Sequence, residues 1–270
     1  NNINEPSTAN STMLAGSLQS HREKLDTWAA PVGVEVFNIV GTGLSTPKSI
    51  EYKGFDDVRC YVGYQCVREK KIEPLLHFTN YGDETVVSKS AASIADGSSK
   101  YYFDIAKFRK SDLSLIKYVH GNITETATVQ TLVDHILHSS STGEVAFVSE
   151  AEPTFSDDTD IYTIHSPARI HLKEVAGHIT GRTEEGGEWK SEIPGSDYFE
   201  AGGVKYVLVP SNVSYEVVIE GEDTGVYTHT LTTLHGDTEA VHHTFTASVT
   251  PSMIIEYKKT GDTFSTIAVD

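Results

Sequence analysis

Between residues 161 and 270 the sequence is cut into short segments rich in Val, Ile, Thr and Tyr, each bounded by Gly, Pro, Asn or Asp. The segments fall at 168–172, 178–181, 204–210, 215–220, 225–233, 242–249, 253–258 and 263–269. Gly221-Glu222-Asp223-Thr224-Gly225 and Thr260-Gly261-Asp262 read as hairpin turns between neighbours. No helical period competes. Short β-branched segments that return every ~8–12 residues bury a face only by pairing and stacking, which is the pattern of an antiparallel sandwich. Residues 161–270 are therefore expected to form an all-β domain.

Upstream the texture differs. Residues 151–160 are acidic and polar and read as a linker, which leaves residues 1–150 as a first domain. With 270 residues, 38% of them hydrophobic, the chain is long enough to bury a sizeable core. The net charge of −17 argues against nucleic acid, whose affinity comes mainly from basic contacts to phosphate. No run of apolar residues is long enough for a membrane span.

In the first domain, residues 1–12 are polar and read as a loop or lid remnant. Leu14, Leu18, His21, Leu25 and Trp28 follow at helical spacing, so an amphipathic helix is expected over 13–28. Residues 34–40 form a β-branched strand that runs into Gly41-Thr42-Gly43-Leu44-Ser45-Thr46-Pro47-Lys48-Ser49. The two glycines permit close backbone approach; a plain turn is the simpler reading. A phosphate loop is excluded, because no Gly-Lys-Ser/Thr follows at the required spacing. Residues 50–55 and 58–67 read as a hairpin that holds both cysteines, Cys60 and Cys66, on either side of Gly63.

Two strand ends then carry chemistry. Gly82-Asp83-Glu84-Thr85-Val86-Val87 presents a carboxylate at a turn before a helical segment over 88–95. Residues 113–119 alternate like a strand and end at His120-Gly121-Asn122, before an amphipathic helix over 126–138. In α/β-hydrolases the triad runs nucleophile, acid, histidine, and the last two appear here in that order. Asp83 also reads as a helix cap or an Asx-turn, and His120 as a surface histidine.

These motifs together resemble the lecithin:cholesterol acyltransferase and lysosomal phospholipase A2 family. The resemblance rests on Gly41-Thr42-Gly43 with Thr46-Pro47, the hairpin after it, Gly82-Asp83-Glu84-Thr85-Val86 followed by Ser88-Lys89-Ser90-Ala91, and His120. It covers about residues 30–140. It implies the C-terminal part of an α/β-hydrolase domain; with the strand pattern of residues 161–270 read as an immunoglobulin-like β-sandwich, the chain is expected to be α/β plus all-β. The resemblance also implies a serine enzyme acting on lipid esters, a lipase, phospholipase or acyltransferase, with Asp83 as triad acid, His120 as general base and Gly41, Thr42 and Gly43 in a loop beside the substrate.

One departure from the family stands out. No Gly-x-Ser-x-Gly occurs, and Gly43-Leu44-Ser45-Thr46 lacks both the final glycine and the strand–Ser–helix context of a nucleophile elbow. The expectation is that the serine lies in a missing N-terminal part or another chain; residue 1 is Asn, which suits a processed or truncated product. The alternative is a non-catalytic extracellular binding or surface-attachment protein that works through its sandwich.

Other features carry blander readings. Asp157, Asp158 and Asp160 lack the glycine and terminal glutamate of a calcium loop and read as solvated linker. His229, His235, His242 and His243 read as exposed strand histidines, so no metal and no cofactor is expected. Trp189 reads as core or loop packing. Cys60 and Cys66 are either two thiols or a local disulfide, which is the expectation in an extracytoplasmic compartment. The sequons at Asn10, Asn122 and Asn212 are as many as chance supplies in so Ser/Thr-rich a chain.

Overall fold

The computed structural model describes residues 11–24, 28–59, 67–93, 97–112, 116–138, 144–165, 167–184, 187–251, 253–260 and 263–269. Cys60 and Cys66, with the expected disulfide, lie outside them. The described residues are mostly β-strand and divide into two compact units: Asn1–Lys48 with Thr79–Phe155, and Ser49–Phe78 with Ser156–Asp270. No helix among them is long and apolar enough to cross a membrane.

Up to residue 149 the order is α1 (Ser11–Lys24), β1 (Phe37–Thr42), β2 (Thr46–Arg59), β3 (Val67–Thr79), α2 (Ser88–Ala91), β4 (Ser99–Asp104), α3 (Ile105–Ser111), a 3-10 turn (His120–Glu125), α4 (Ala127–His138) and β5 (Val148–Ser149). In the first unit β1 pairs in parallel with β4, from Phe37 opposite Ser99 to Thr42 opposite Asp104, and β5 adds antiparallel to β4. Parallel pairing needs a long crossover. Here the chain between the two strands includes the β2–β3 excursion, the Gly-Asp turn and α2. Leu44, Phe103, Ile105 and Val129 are buried together. Phe108 meets Phe103, Tyr118 and Phe147 edge-on at 5.4, 5.2 and 5.8 Å between ring centres, an arrangement that suits the ring quadrupoles.

Side-chain caps start both helices that follow β4. Asp104 accepts the Lys107 N–H at 2.9 Å ahead of α3, and the Thr126 hydroxyl accepts the Val129 N–H at 3.3 Å ahead of α4. α4 turns Val129 and Leu132 inward, while Val133 and Leu137, on the same apolar stripe, are exposed.

The strand beside β1 is not the one expected at 113–119. Residues 116–119 are irregular, and 113–115 lie outside the described residues. The backbone groups of 117–119 bond to side chains in place of a ladder: Tyr118 O accepts from Arg109, and Asn122 both accepts the Val119 N–H and donates to Lys117 O. Aromatic Tyr101-Tyr102-Phe103 fills the sheet position instead.

Beyond β5 every element is a strand: β6 (Asp158–His165), β7 (Ala168–Glu174), β8 (Ile179–Arg182), β9 (Trp189–Ser191), β10 (Asp197–Ala201), β11 (Val204–Pro210), β12 (Tyr215–Gly221), β13 (Gly225–His235), β14 (Thr238–Val249), β15 (Ile254–Thr260) and β16 (Thr263–Val269). They form two antiparallel sheets, ordered β10-β11-β6-β13-β14 and β16-β15-β12-β7-β8-β9. One core contains Tyr162, Val207, Tyr227 and Leu231 from the first sheet and Ile170, Leu172, Val217 and Ile219 from the second. β2 and β3 form a separate two-stranded sheet. The sequence reading ended the hairpin's second arm at residue 67, yet β3 begins there and contains Pro74; a two-stranded ribbon has free edges where a missing N–H costs nothing. Residues 49–78 group with the second unit, where Leu75, Leu76 and Phe78 pack against Ile161, Tyr206, Leu208 and Leu234. This second cover explains why Val204–Pro210 is buried along almost its whole length instead of alternating.

Two readings of the second unit are corrected. Asp160 is not solvated linker: it lies in β6, 2% exposed, and pairs with buried Lys259. The hydroxyls of Ser211, Tyr215 and Thr233 donate to it at 2.7, 2.8 and 2.9 Å. Burial opposes its ionisation, but Lys259 and the hydroxyls of Ser211 and Tyr215 outweigh burial and hold the carboxyl below its usual range. His229 is not exposed either. It is 5% exposed and stacks on Tyr227 and Tyr257, its Nε2 is 2.9 Å from the Tyr257 hydroxyl, and burial pushes the imidazole down to about 4. Trp189 is half-exposed on β9 and stacks on Tyr198.

Candidate functional site

The site is built where β1 ends. Gly43 N–H donates to Asn80 O at 3.1 Å and Leu44 N–H to Gly82 O at 2.9 Å, so the returning chain lies along the strand's continuation, with Asp83 bridged in parallel to Leu44. Two glycines permit this approach. A Cβ on Gly41 would stand 2.9 Å from the Asp83 Cβ and 2.7 Å from Ile123, and one on Gly82 would stand 2.3 Å from the Thr46 hydroxyl. Gly43 has φ +97° and would press a Cβ to 3.0 Å from Asp104. The middle residue of that loop, Thr42, is fully buried and accepts a hydrogen bond from the Ser88 hydroxyl at 2.8 Å. Ser88 opens α2, so the Gly-Thr-Gly loop and the segment after the acid are tied side chain to side chain.

The Asp83 carboxylate is 4% exposed and fully engaged. Oδ1 accepts the N–H groups of Thr85 at 3.1 Å and Val86 at 2.7 Å, the Asx-turn expected of a Gly-Asp turn. Oδ2 lies 2.8 Å from His120 Nδ1. A second link runs through the backbone, where His120 N–H donates to Asp83 O at 3.1 Å. A buried carboxylate at Nδ1 selects the tautomer with the proton on Nδ1 and leaves Nε2 as the acceptor. The imidazole is 48% exposed, and among the described residues Nε2 has no hydrogen-bond partner. Asp83 continues the β1 end and His120 follows the β4–α3 segment, so both stand at the carboxyl edge of the parallel pair, where open α/β sheets place their ligands.

An acid–imidazole pair with one ring nitrogen held and the other free can accept a proton and stabilise the imidazolium that results. It needs an O–H or S–H group at Nε2 to act upon. Ser45 bonds to Asn80 at 2.9 Å and Ser88 to Thr42, so neither serine is placed there. Among the described residues no group of three or more His, Cys, Asp or Glu side chains could hold a metal ion.

Sequence reasoning missed the groups around the pair. Glu84 has φ +75°, a left-handed conformation that disfavours a side chain. Its N–H donates to the Thr46 hydroxyl at 2.9 Å, and its carboxylate accepts from Arg109 at 2.8 Å, with Lys117 at 3.5 Å. Arg109 Nε also donates to Tyr118 O at 2.6 Å. Asn122, read from the sequence as part of the strand-ending His120-Gly121-Asn122 and as a sequon, organises the histidine turn through Val119 and Lys117. The segment that forms α3, with Arg109 and Lys110 in its last turn, drew no reading from the sequence.

Comparison with family models, with curated proteins and with solved structures finds no match to this chain.

Proposed function

We propose that the first unit supplies the acid and the general base of a serine ester hydrolase, as the C-terminal part of an α/β-hydrolase domain similar to the lecithin:cholesterol acyltransferase and lysosomal phospholipase A2 family. The observation that carries this reading is the 2.8 Å contact between Asp83 Oδ2 and His120 Nδ1, with the opposite ring nitrogen open. In this reading a serine hydroxyl, supplied by an N-terminal part of the enzyme or by another chain, bonds to Nε2. His120 takes its proton as it attacks the ester carbonyl and returns it to the departing alkoxide; Asp83 holds the tautomer and stabilises the imidazolium. The substrate class is a lipid ester in an extracytoplasmic setting. The second unit is read as an immunoglobulin-like sandwich that targets the enzyme to a surface. Its support is two antiparallel sheets around one core.

The test uses a serine-directed fluorophosphonate probe and p-nitrophenyl esters. Residues 1–270 alone should neither take up the probe nor turn over the ester. The natural protein isolated from its source should do both, with the label on a serine outside this sequence. Stoichiometric labelling of a serine within residues 1–270 would remove the basis of the proposal.

A further inference from the structure

The histidine turn has little regular structure to hold it. Residues 116–119 are irregular and His120 opens a short 3-10 turn, yet its imidazole must stay within hydrogen-bond reach of Asp83 while half-exposed to water. On the other side, the residue after the acid is a glutamate at φ +75°, where a glycine would sit without strain. A side chain kept at a strained position points to a use for it. Its carboxylate is taken by Arg109, and the same guanidinium donates from Nε to Tyr118 O, two residues before His120.

We propose that Arg109 and Glu84 are positioning residues that clamp the acid turn to the histidine turn. The planar guanidinium suits the task. One edge engages a carboxylate while Nε–H engages a carbonyl, so a single rigid group fixes the spacing between the two turns; an ammonium offers no such paired geometry. Arg109 is itself held by α3, which Asp104 caps and which Phe108 seats against Phe103 and Tyr118. Lys117, at 3.5 Å from the same Glu84 oxygen, adds a second cation on the histidine side. The clamp holds the backbone bond from His120 N–H to Asp83 O, and through it the direction in which Nε2 points. Neither residue touches the reacting atoms.

The inference rests on the hydrolase reading for its purpose, but its test requires no catalysis. Nitrogen-15 NMR of the chain itself reads the His120 ring tautomer, and hydrogen exchange reads the His120 amide. Two variants are compared, Arg109→Gln and Glu84→Gly. The glycine suits φ +75° and so removes the carboxylate without straining the turn. In both, the His120 amide should lose protection at least about tenfold and the Nε2–H tautomer should rise to a visible fraction. The amides of Val129 and Leu132 in α4 should keep their wild-type protection. Either variant retaining wild-type His120 protection and tautomer would overturn the clamp. So would an equal loss of protection throughout α4, because the pair would then be supporting the unit and not placing the histidine. Ester hydrolysis failing in the natural protein would count against the hydrolase reading alone, since these two signals do not depend on it.

Discussion

Replacing Asp83 by Asn tests the site most directly, because the structure dictates how the new amide must lie. Asp83 Oδ1 accepts two backbone N–H groups, from Thr85 and Val86. An asparagine keeps both only by leaving its carbonyl oxygen there, so its NH2 faces His120 Nδ1 at the position Oδ2 occupies, 2.8 Å away. Turning the amide over would set an NH2 against two N–H donors in a buried turn, at a cost of about 1–3 kcal/mol for each group left unpaired. The imidazole yields instead: Nδ1 becomes the acceptor and the proton moves to Nε2. A hydrogen bond to a charged partner is worth about 1.5–3 kcal/mol, so the wild-type ring should favour the Nδ1–H form by roughly 10- to 150-fold. Asp83→Asn should reverse that preference. Nitrogen-15 ring shifts of selectively labelled His120, read where the imidazole is neutral, report the ratio. On the hydrolase proposal, the same substitution in the natural protein should lower kcat by about 10⁴, as a wrong tautomer does in serine-protease triads, with little change in KM. A variant that keeps the Nδ1–H tautomer would show that Asp83 does not govern the ring.

Two further outcomes concern the second unit. Lys259→Met leaves Asp160 buried without its cation and should cost about 3–5 kcal/mol in a urea unfolding series; a shift below about 1 kcal/mol would mean that the three hydroxyls alone suffice for the carboxylate. His77 is raised above its ordinary value mainly by its bond to Glu239, against a lowering by burial, with Glu51 at its other ring nitrogen. A raised histidine stabilises fully below its unfolded value near 6.5 and loses that contribution as pH rises through the folded value. The thermal deficit of His77→Gln against the wild type should therefore be larger at pH 5.5 than at pH 9; a deficit that does not change with pH would refute the linkage.

Much of this protein was written locally. The β-branched segments beyond residue 161, separated by glycine and aspartate turns, require stacked antiparallel sheets because each segment has no other way to bury its face. The Gly-Asp turn was legible because an aspartate bonds its own backbone two and three residues on, a contact that needs no partner from elsewhere. His120 was legible as the end of a segment before a capped helix. What only the tertiary structure decided is who meets whom. Residues 113–119 and 99–104 both carry apolar residues enough for a strand; β1 pairs with 99–104, while the backbone groups of 117–119 bond to Arg109 and Asn122. Asp160 looked like linker because its neighbours in sequence are acidic; Lys259, which neutralises it, is ninety-nine positions away. Glu84 looked like one more surface acid, and its conformation and its arginine became visible only in three dimensions. Local patterns specify which groups a segment must bury or bond. Long-range partners are set by competition among many such segments for the same core, and no window of sequence contains that competition.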